Sequence, residues 1–308
     1  MVIYVLINPQ PRQYPTHMPR IITIANLKGG AGKSTITALL GYGLAIIGKK
    51  VLLIDMDPQS HLSSFFIPVE LLDGLDGGSL DLVRYGISEA RTHEVRFESG
   101  VRLFIIPSKP SYSIDLMSGQ APLMDPLMLF RRLEEGSEEL QGFDYVLIDT
   151  APEPFAPTMW GLYASDYVII PTSLEELSLY GIKMLIGNVL PSVYRLRKSM
   201  VKGPPWLLGI VLNNITRRYK EETITRVEGA LRRFIRGIHP VAGYAYPSLF
   251  FRTRVYSDYL LSRLPHTPRR QRIPLNAVIE GNAELKEAVV SLAGEVEDRV
   301  RELGGGLL

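Results

Sequence analysis

Ten residues, Asn26 to Thr35, read NLKGGAGKST and stand between an apolar run at 21–25 and a helical apolar spacing at Ile36, Leu39, Leu40, Gly43, Leu44 and Ile47. A strand that enters a glycine-rich turn and leaves it as a helix brings backbone N–H groups and the positive end of a helix dipole to one point, where an anion is stabilised. Gly32, Lys33 and Ser34 complete the G-x-x-x-x-G-K-[ST] pattern of a phosphate-binding loop. The first glycine of that pattern is absent: its position holds Leu27, and Lys28 follows directly. In this frame Gly29, Gly30, Ala31 and Gly32 curl around phosphate oxygens, with Thr35 closing the loop. Lys33 supplies a point charge to the β- and γ-phosphates of ATP, and the Ser34 hydroxyl is placed to ligate Mg²⁺.

Two carboxylate segments complement the loop. In VLLIDMDPQ an apolar strand delivers Asp55 and Asp57 to its C-terminal end, where open α/β sheets bind ligands. A carboxylate there holds a magnesium-bound water or orients the water that attacks the γ-phosphate. In FDYVLIDTAP four apolar residues lead to Asp149, expected to accept from a magnesium-bound water or from Ser34. A later strand, LLGIVLNNI, ends in Asn213 and Asn214, whose amides either read a base edge or serve as turn residues.

The rest of the chain alternates in the same way. Short, continuously apolar strands are expected at 21–25, 51–54, 101–106, 145–148, 166–170, 207–212 and 241–246. Helices are expected at 32–47, 123–140, 179–196 apart from Pro191, 223–235 and 282–303. Residues 69–99 read as a variable region of short helices. Apolar strands separated by helices imply an α/β fold of three layers, a central, mostly parallel sheet covered by helices on both faces. Residues 1–19, broken by four prolines, read as an N-terminal arm, and residues 20–308 as a single ATPase domain with C-terminal helices. In the last helix Leu285, Val289, Leu292, Val296, Val300 and Leu303 share one face, and the opposite face is mostly acidic. That polarity favours docking on the body of the protein over binding a membrane, which calls for Lys and Arg.

Composition removes several classes. The chain has no cysteine, so disulfides, zinc ribbons and thiolate-held clusters are out. No apolar run approaches the roughly 20 residues that span a bilayer, and the N-terminus makes a poor signal peptide. A cytoplasmic protein is expected. The formal net charge is only +2 over 308 residues, so any basic surface must be local.

Together these segments resemble the deviant Walker A ATPases, the ParA/MinD superfamily of P-loop NTPases, over residues 20–260. The replaced first glycine and the lysine after it are marks of that group. LFIIPS, ASDYVIIPTSLEELSLYGI and GIVLNN add to the resemblance, and DMDPQ is most similar to the ParA/Soj branch of DNA-partition ATPases. The resemblance implies an ATP-dependent homodimer in which Lys28 of one subunit reaches the nucleotide held by Lys33 of the other. It implies that Asp57 orients the hydrolytic water, that Asp55 and Asp149 support magnesium, and that Pro247 and Ser248 pack near the adenine. It further implies nonspecific double-stranded DNA and a centromere-binding, ParB-like adaptor as partners, and a nucleoid location. Ala151 stands where the group often has a second proline.

Basic residues outnumber acidic ones between 217 and 254, and further clusters stand at 195–202 and 269–272. Such clusters bind phosphates without reading sequence. Arg217, Arg218, Arg252 and Arg254 are the expected DNA contacts. A MinD-like membrane-positioning ATPase is the alternative, and amide-forming P-loop ligases and a non-hydrolysing binding module are the more distant ones.

Overall fold

The computed structural model describes residues 18–117, 125–200, 203–217, 219–238, 241, 243–264 and 273–305. Residues 1–17 of the expected arm, Arg218, and the basic cluster Arg269, Arg270 and Arg272 lie outside the described residues.

Eight strands form one sheet: β1 (Arg20–Ile24), β2 (Val51–Asp55), β3 (His93–Arg96), β4 (Arg102–Ile106), β5 (Tyr145–Asp149), β6 (Tyr167–Thr172), β7 (Trp206–Ile215) and β8 (Phe250–Tyr256). Their order is β3-β4-β2-β5-β1-β6-β7-β8. All neighbours are parallel except β3, which runs antiparallel to β4 at one edge. β5 lies between β1 and β2, with Asp149 in register with both Ile24 and Asp55. That register brings the end of β1, the carboxylate of β2 and the carboxylate of β5 to one edge of the sheet.

Side chains alternate between two cores, as a strand period of two requires. Ile22, Ile24, Leu53 and Leu147 pack with the helix Lys33–Ile46 and the C-terminal helix Ala283–Gly305. Ile21, Ile54, Val146 and Ile148 face the opposite layer, which includes Leu129, Leu133 and Trp160. A third cluster joins β6 and β7 to the helices Glu176–Met184, Leu190–Arg197 and Glu221–Arg236. Helices therefore cover both faces, as the strand pattern implies.

The C-terminal helix docks on the body. Leu285, Val289, Leu292, Val296 and Val300 are buried, each contributing about 1.5–3 kcal/mol of transfer free energy. Gly43 permits the approach: a Cβ there would lie 2.5 Å from the Val289 carbonyl oxygen. Among the described residues no helix is long and apolar enough to cross a membrane.

Four local expectations change. Residues 69–99, expected as short helices, also hold the antiparallel edge strand β3, whose alternation of exposed and half-buried residues has no continuous apolar run. Among the described residues of 241–246 none lies in a strand; Ala245 makes a single bridge to Leu207, and the last strand is Phe250–Tyr256. Its sequence, FFRTRVY, interleaves arginines with apolar residues as an edge strand does, which hides it from a search for continuous apolar runs. The helix expected at 123–140 is two pieces, Met128–Glu135 and Ser137–Leu140, parted at Gly136. The helical stretch near Pro191 is not interrupted: it passes through a π turn, Leu185–Val189, just before the proline. A widened turn is a common way to absorb a ring that lacks an N–H and crowds the preceding carbonyls.

Candidate functional site

The loop after β1 is shaped by what its glycines meet. Gly30 and Gly32 have φ of +76° and +90°, the left-handed region that other residues rarely adopt. A Cβ on Gly32 would lie 1.7 Å from Nδ2 of Asn213, so β7 presses directly against the loop. Asn213 is buried and donates a long 3.5 Å contact to the Ala31 carbonyl. Asn26 is buried too, donating from Nδ2 to the Pro171 carbonyl at 2.8 Å.

Lys33 starts the helix and is 6% exposed. Its ammonium donates to the Lys28 carbonyl at 3.2 Å, inside the curl of the loop. Burial lowers its pKa, against the pull of Asp149, Asp57 and Glu153. One turn on, the Thr37 hydroxyl donates to the Lys33 carbonyl at 2.9 Å and to Asp149 Oδ1 at 3.4 Å.

The three aspartates differ in how they are held. Asp55 is fully buried and accepts from the Ser63 backbone N–H at 2.8 Å, the Ser63 hydroxyl at 2.7 Å and the Asp57 N–H at 3.0 Å. Burial and the adjacent Asp57 charge nevertheless push it up to about 7. Asp149 is also fully buried, and burial with the neighbouring Asp55 charge raises it well above the usual carboxylate range, with the Ser34 hydroxyl and Lys33 pulling the other way. Its Oδ2 has no hydrogen-bond partner. Asp57 accepts from the Gln59 N–H at 2.9 Å through Oδ1, while Oδ2 faces Nδ1 of His61 at 3.3 Å.

Magnesium fits this donor set in a specific way. Among the described residues no group of three or more His, Cys, Asp and Glu can hold a metal by itself. Mg²⁺ keeps several waters and completes its shell with one or two protein oxygens and substrate phosphates. The unpartnered Asp149 Oδ2 and the Ser34 hydroxyl are suited to that role. Both oxygens of Asp55 are already engaged, so it contributes mainly charge.

A cleft of about 970 Å³ opens over these residues. Its walls include Gly29, Gly30, Gly32, Lys33, Ser34, Thr35, Asp57, His61, Glu153, Phe155, Asn213 and Asn214, and its far side is Tyr256, Ser257, Asp258 and Leu261. The far side corrects one expectation. Pro247 and Ser248 are exposed and precede β8, so in a parallel strand they stand at the end away from the loop. The residues that follow the last strand into the cleft are Ser257 and Asp258. The misplacement follows from taking 241–246 as that strand.

Lys28 does not face its own Lys33 ammonium; it pairs with Glu175 at 3.1 Å. The expected DNA-contacting arginines separate into different settings. Arg217 is exposed and pairs with Glu284, with Tyr256 beneath it at 5.4 Å. Arg252 has an exposed side chain. Arg254 is drawn onto the helix Glu221–Arg236, donating to both oxygens of Glu221 at 2.7 Å. His61, Ser63, Thr37 and Glu175 belong to the site although no motif singled them out. The spacing Asp57-x-x-x-His61 was the only local signal among them.

Known proteins place this geometry in a family. The AAA domain family AAA_31 matches residues 19–201. The sporulation initiation inhibitor protein Soj of Bacillus subtilis is 34% identical over 176 residues, which cover 56% of this chain and 65% of Soj. Among solved structures, pNOB8 ParA superposes with a TM-score of 0.77 at 24% identity, covering 92% of this chain and 99% of that one. A structure of pNOB8 ParA bound to nonspecific DNA gives 0.75 at 23% identity, with the same coverage. With its family profile spanning more than half of its length and its sheet matching the ParA fold, the chain belongs to the AAA_31 domain family and is a P-loop ATPase of the ParA/Soj type.

Proposed function

We propose that this chain is an ATP-dependent DNA-partition switch. One observation carries the reading: a single cleft gathers the Lys33 loop, Ser34 and Asp57, the second aspartate after the apolar run of β2, and the buried Asp149 keeps one carboxylate oxygen unpartnered at the end of β5, while Lys28 points to a different partner. Lys33 and the loop N–H groups bind the β- and γ-phosphates. Ser34 and Asp149 hold magnesium, which offsets charge on the phosphate oxygens. Asp57 orients the water whose oxygen attacks the γ-phosphorus; the bond to the bridging oxygen breaks, and ADP and phosphate leave. Asn213, Ser257 and Asp258 bound the end of the cleft that takes the base.

Two such subunits close face to face around ATP, and Lys28 of each reaches the nucleotide of the other. The dimer binds double-stranded DNA through phosphates, with Arg217 and Arg252 as exposed contacts and Arg218 next to Arg217 in sequence. Its hydrolysis is stimulated by a centromere-binding, ParB-like adaptor, and the protein works in the cytoplasm on the nucleoid. Soj and the DNA-bound pNOB8 ParA support this reading by likeness. Fluorescence anisotropy with a random-sequence duplex, across a salt series, tests it. Binding with ATP that is lost with ADP and weakens steeply with salt is expected. Binding that ignores the nucleotide, or none at all, refutes it.

A further inference from the structure

His61 has no part in the loop, in the magnesium oxygens or in the adenine wall, yet it sits on the carboxylate that faces the γ-phosphate end of the cleft. Its Nδ1 lies 3.3 Å from Asp57 Oδ2. Asp57 is 3% exposed, and its other oxygen already accepts from the Gln59 N–H. An ionised carboxylate only accepts, so Nδ1 carries a proton in this contact.

The backbone is arranged to make this contact. Ser60, between the two residues, has φ +57°, a left-handed conformation that strains a non-glycine residue. Its N–H donates to the Asp57 carbonyl at 2.8 Å, so the chain reverses and His61 returns over Asp57. The Ser64 hydroxyl then fixes the His61 carbonyl at 2.7 Å. Strain held at one residue, with its neighbour anchored on both sides, fits a side chain whose position matters. The hydrogen bond that His61 donates to Asp57 also holds the imidazole above its ordinary pKa, with the Asp55 and Asp149 charges adding in the same direction.

We propose that His61 is a positioning residue for hydrolysis: it fixes the rotation of the Asp57 carboxylate so that the carboxylate presents a defined lone pair to the attacking water. Asp57 has one backbone donor on Oδ1 and needs a second fixed donor on Oδ2 to lose its torsional freedom. His61 touches neither phosphate nor magnesium and keeps its proton. This inference rests on the reading that the chain hydrolyses ATP.

The test compares His61→Ala, His61→Asn and His61→Gln with the unaltered chain in Mg-ATP turnover, reading kcat and KM separately. The Asn amide sits at the same branch of the side chain as Nδ1 and can donate to Oδ2; the Gln amide lies one bond too far. The alanine variant is expected to lose about tenfold in kcat, the usual cost of removing a supporting partner, with KM for ATP within about twofold. His61→Asn is expected to recover to within about threefold of the unaltered chain, and His61→Gln to behave as alanine does. Unchanged kcat in His61→Ala, a loss confined to KM, or an Asn variant as slow as alanine overturns the role of His61 while leaving ATP hydrolysis in place. Absence of turnover by the unaltered chain overturns the underlying reading as well.

Discussion

The ammonium of Lys28 lies 3.1 Å from Glu175 Oε2 of the same chain, across 147 residues of sequence. The helix Glu176–Met184 supports this pairing from behind: a Cβ on Gly181 would stand 3.1 Å from the Lys28 Cβ and 2.4 Å from Asn26 Oδ1. For Lys28 to act on a neighbouring nucleotide it must leave Glu175. An exposed pair of this kind is worth about 0.2–1 kcal/mol. Glu175→Gln is therefore expected to leave the melting temperature nearly unchanged. Because the dimer frees two such pairs, it should also shift the ATP-dependent monomer–dimer midpoint to protein concentrations about two- to thirtyfold lower. Analytical ultracentrifugation with a slowly hydrolysed ATP analogue checks this. A midpoint that stays put, or moves upward, means that the pair does not restrain Lys28.

Asp57 is the second prediction. It is buried at the mouth of the loop, and neither of its hydrogen bonds goes to a loop residue, so its removal should spare nucleotide binding. Asp57→Ala is expected to bind ATP with near-normal affinity, to lose at least about a hundredfold in turnover and to accumulate as an ATP-bound dimer on DNA. Turnover and gel-filtration mass with ATP read the two consequences together. Full turnover by the variant would remove Asp57 from the water-orienting role.

These residues also show what a sequence can carry. Lys33, Asp57 and Asp149 were legible because each stands at or beyond the C-terminal end of a short apolar strand, Lys33 and Asp57 in the turns that follow β1 and β2, and a parallel sheet puts those ends on one edge whatever the order of the strands. The order itself, with β5 inserted between β1 and β2, left no local trace. Nor did β8, whose arginines give it the look of a basic loop, and the error carried through to Pro247 and Ser248. The contact of His61 with Asp57 depends on a left-handed Ser60 that nothing in DPQSH announces. The pairing of Lys28 with Glu175 depends on how a helix after β6 packs against a loop after β1. Local chemistry was readable; contacts made by tertiary packing or by an unusual backbone angle were not.

The buried carboxylates make stability depend on pH. Asp55 is pushed up to about 7 by burial and by the adjacent Asp57 charge, and Asp149 is raised for the same kind of reason. A carboxyl whose folded pKa lies above its unfolded value stabilises fully below the unfolded value and loses that contribution as pH rises through the folded one. The nucleotide-free protein is therefore expected to melt at a lower temperature at pH 8.5 than at pH 6, with the Asp55 contribution, which falls from the unfolded carboxylate range upward, fully lost just above about 7. Asp149→Asn, which cannot ionise, should flatten the slope. Scanning calorimetry at matched ionic strength decides. Stability that rises between pH 6 and pH 8.5 contradicts the assignment.

Gly32 carries two constraints that can be separated by mutation. Its φ of +90° disfavours any side chain, and a Cβ would run into the Asn213 amide. Gly32→Ala is expected to cost about 1–3 kcal/mol of stability and to abolish ATP binding. Adding Asn213→Ala removes the clash but not the backbone strain, so the double variant should recover only part of the lost stability. Full recovery in denaturant titrations would mean that the clash alone requires glycine here, and no recovery would mean that the backbone angle alone does.

The arginines differ in availability, and DNA binding should follow that difference. Arg254 already donates from both terminal guanidinium nitrogens to Glu221 at 2.7 Å and lies near Glu228. To reach a phosphate it would have to abandon a forked, charge-assisted pair, which is among the stronger surface contacts. Arg252 exposes its side chain, and Arg217 meets Glu284 and the face of Tyr256 at an exposed position. Each phosphate contact removed lowers the slope of log affinity against log salt by about one. Arg217→Ala and Arg252→Ala are each expected to weaken ATP-dependent duplex binding uniformly across sequences and to reduce that slope by about one. Arg254→Ala should leave the slope unchanged and act instead on stability, through the loss of Glu221 as a partner. A salt series on the three variants distinguishes the two behaviours: a reduced slope for Arg254→Ala with none for the other two would invert the assignment and move the DNA-binding face onto β8 and the helix Glu221–Arg236.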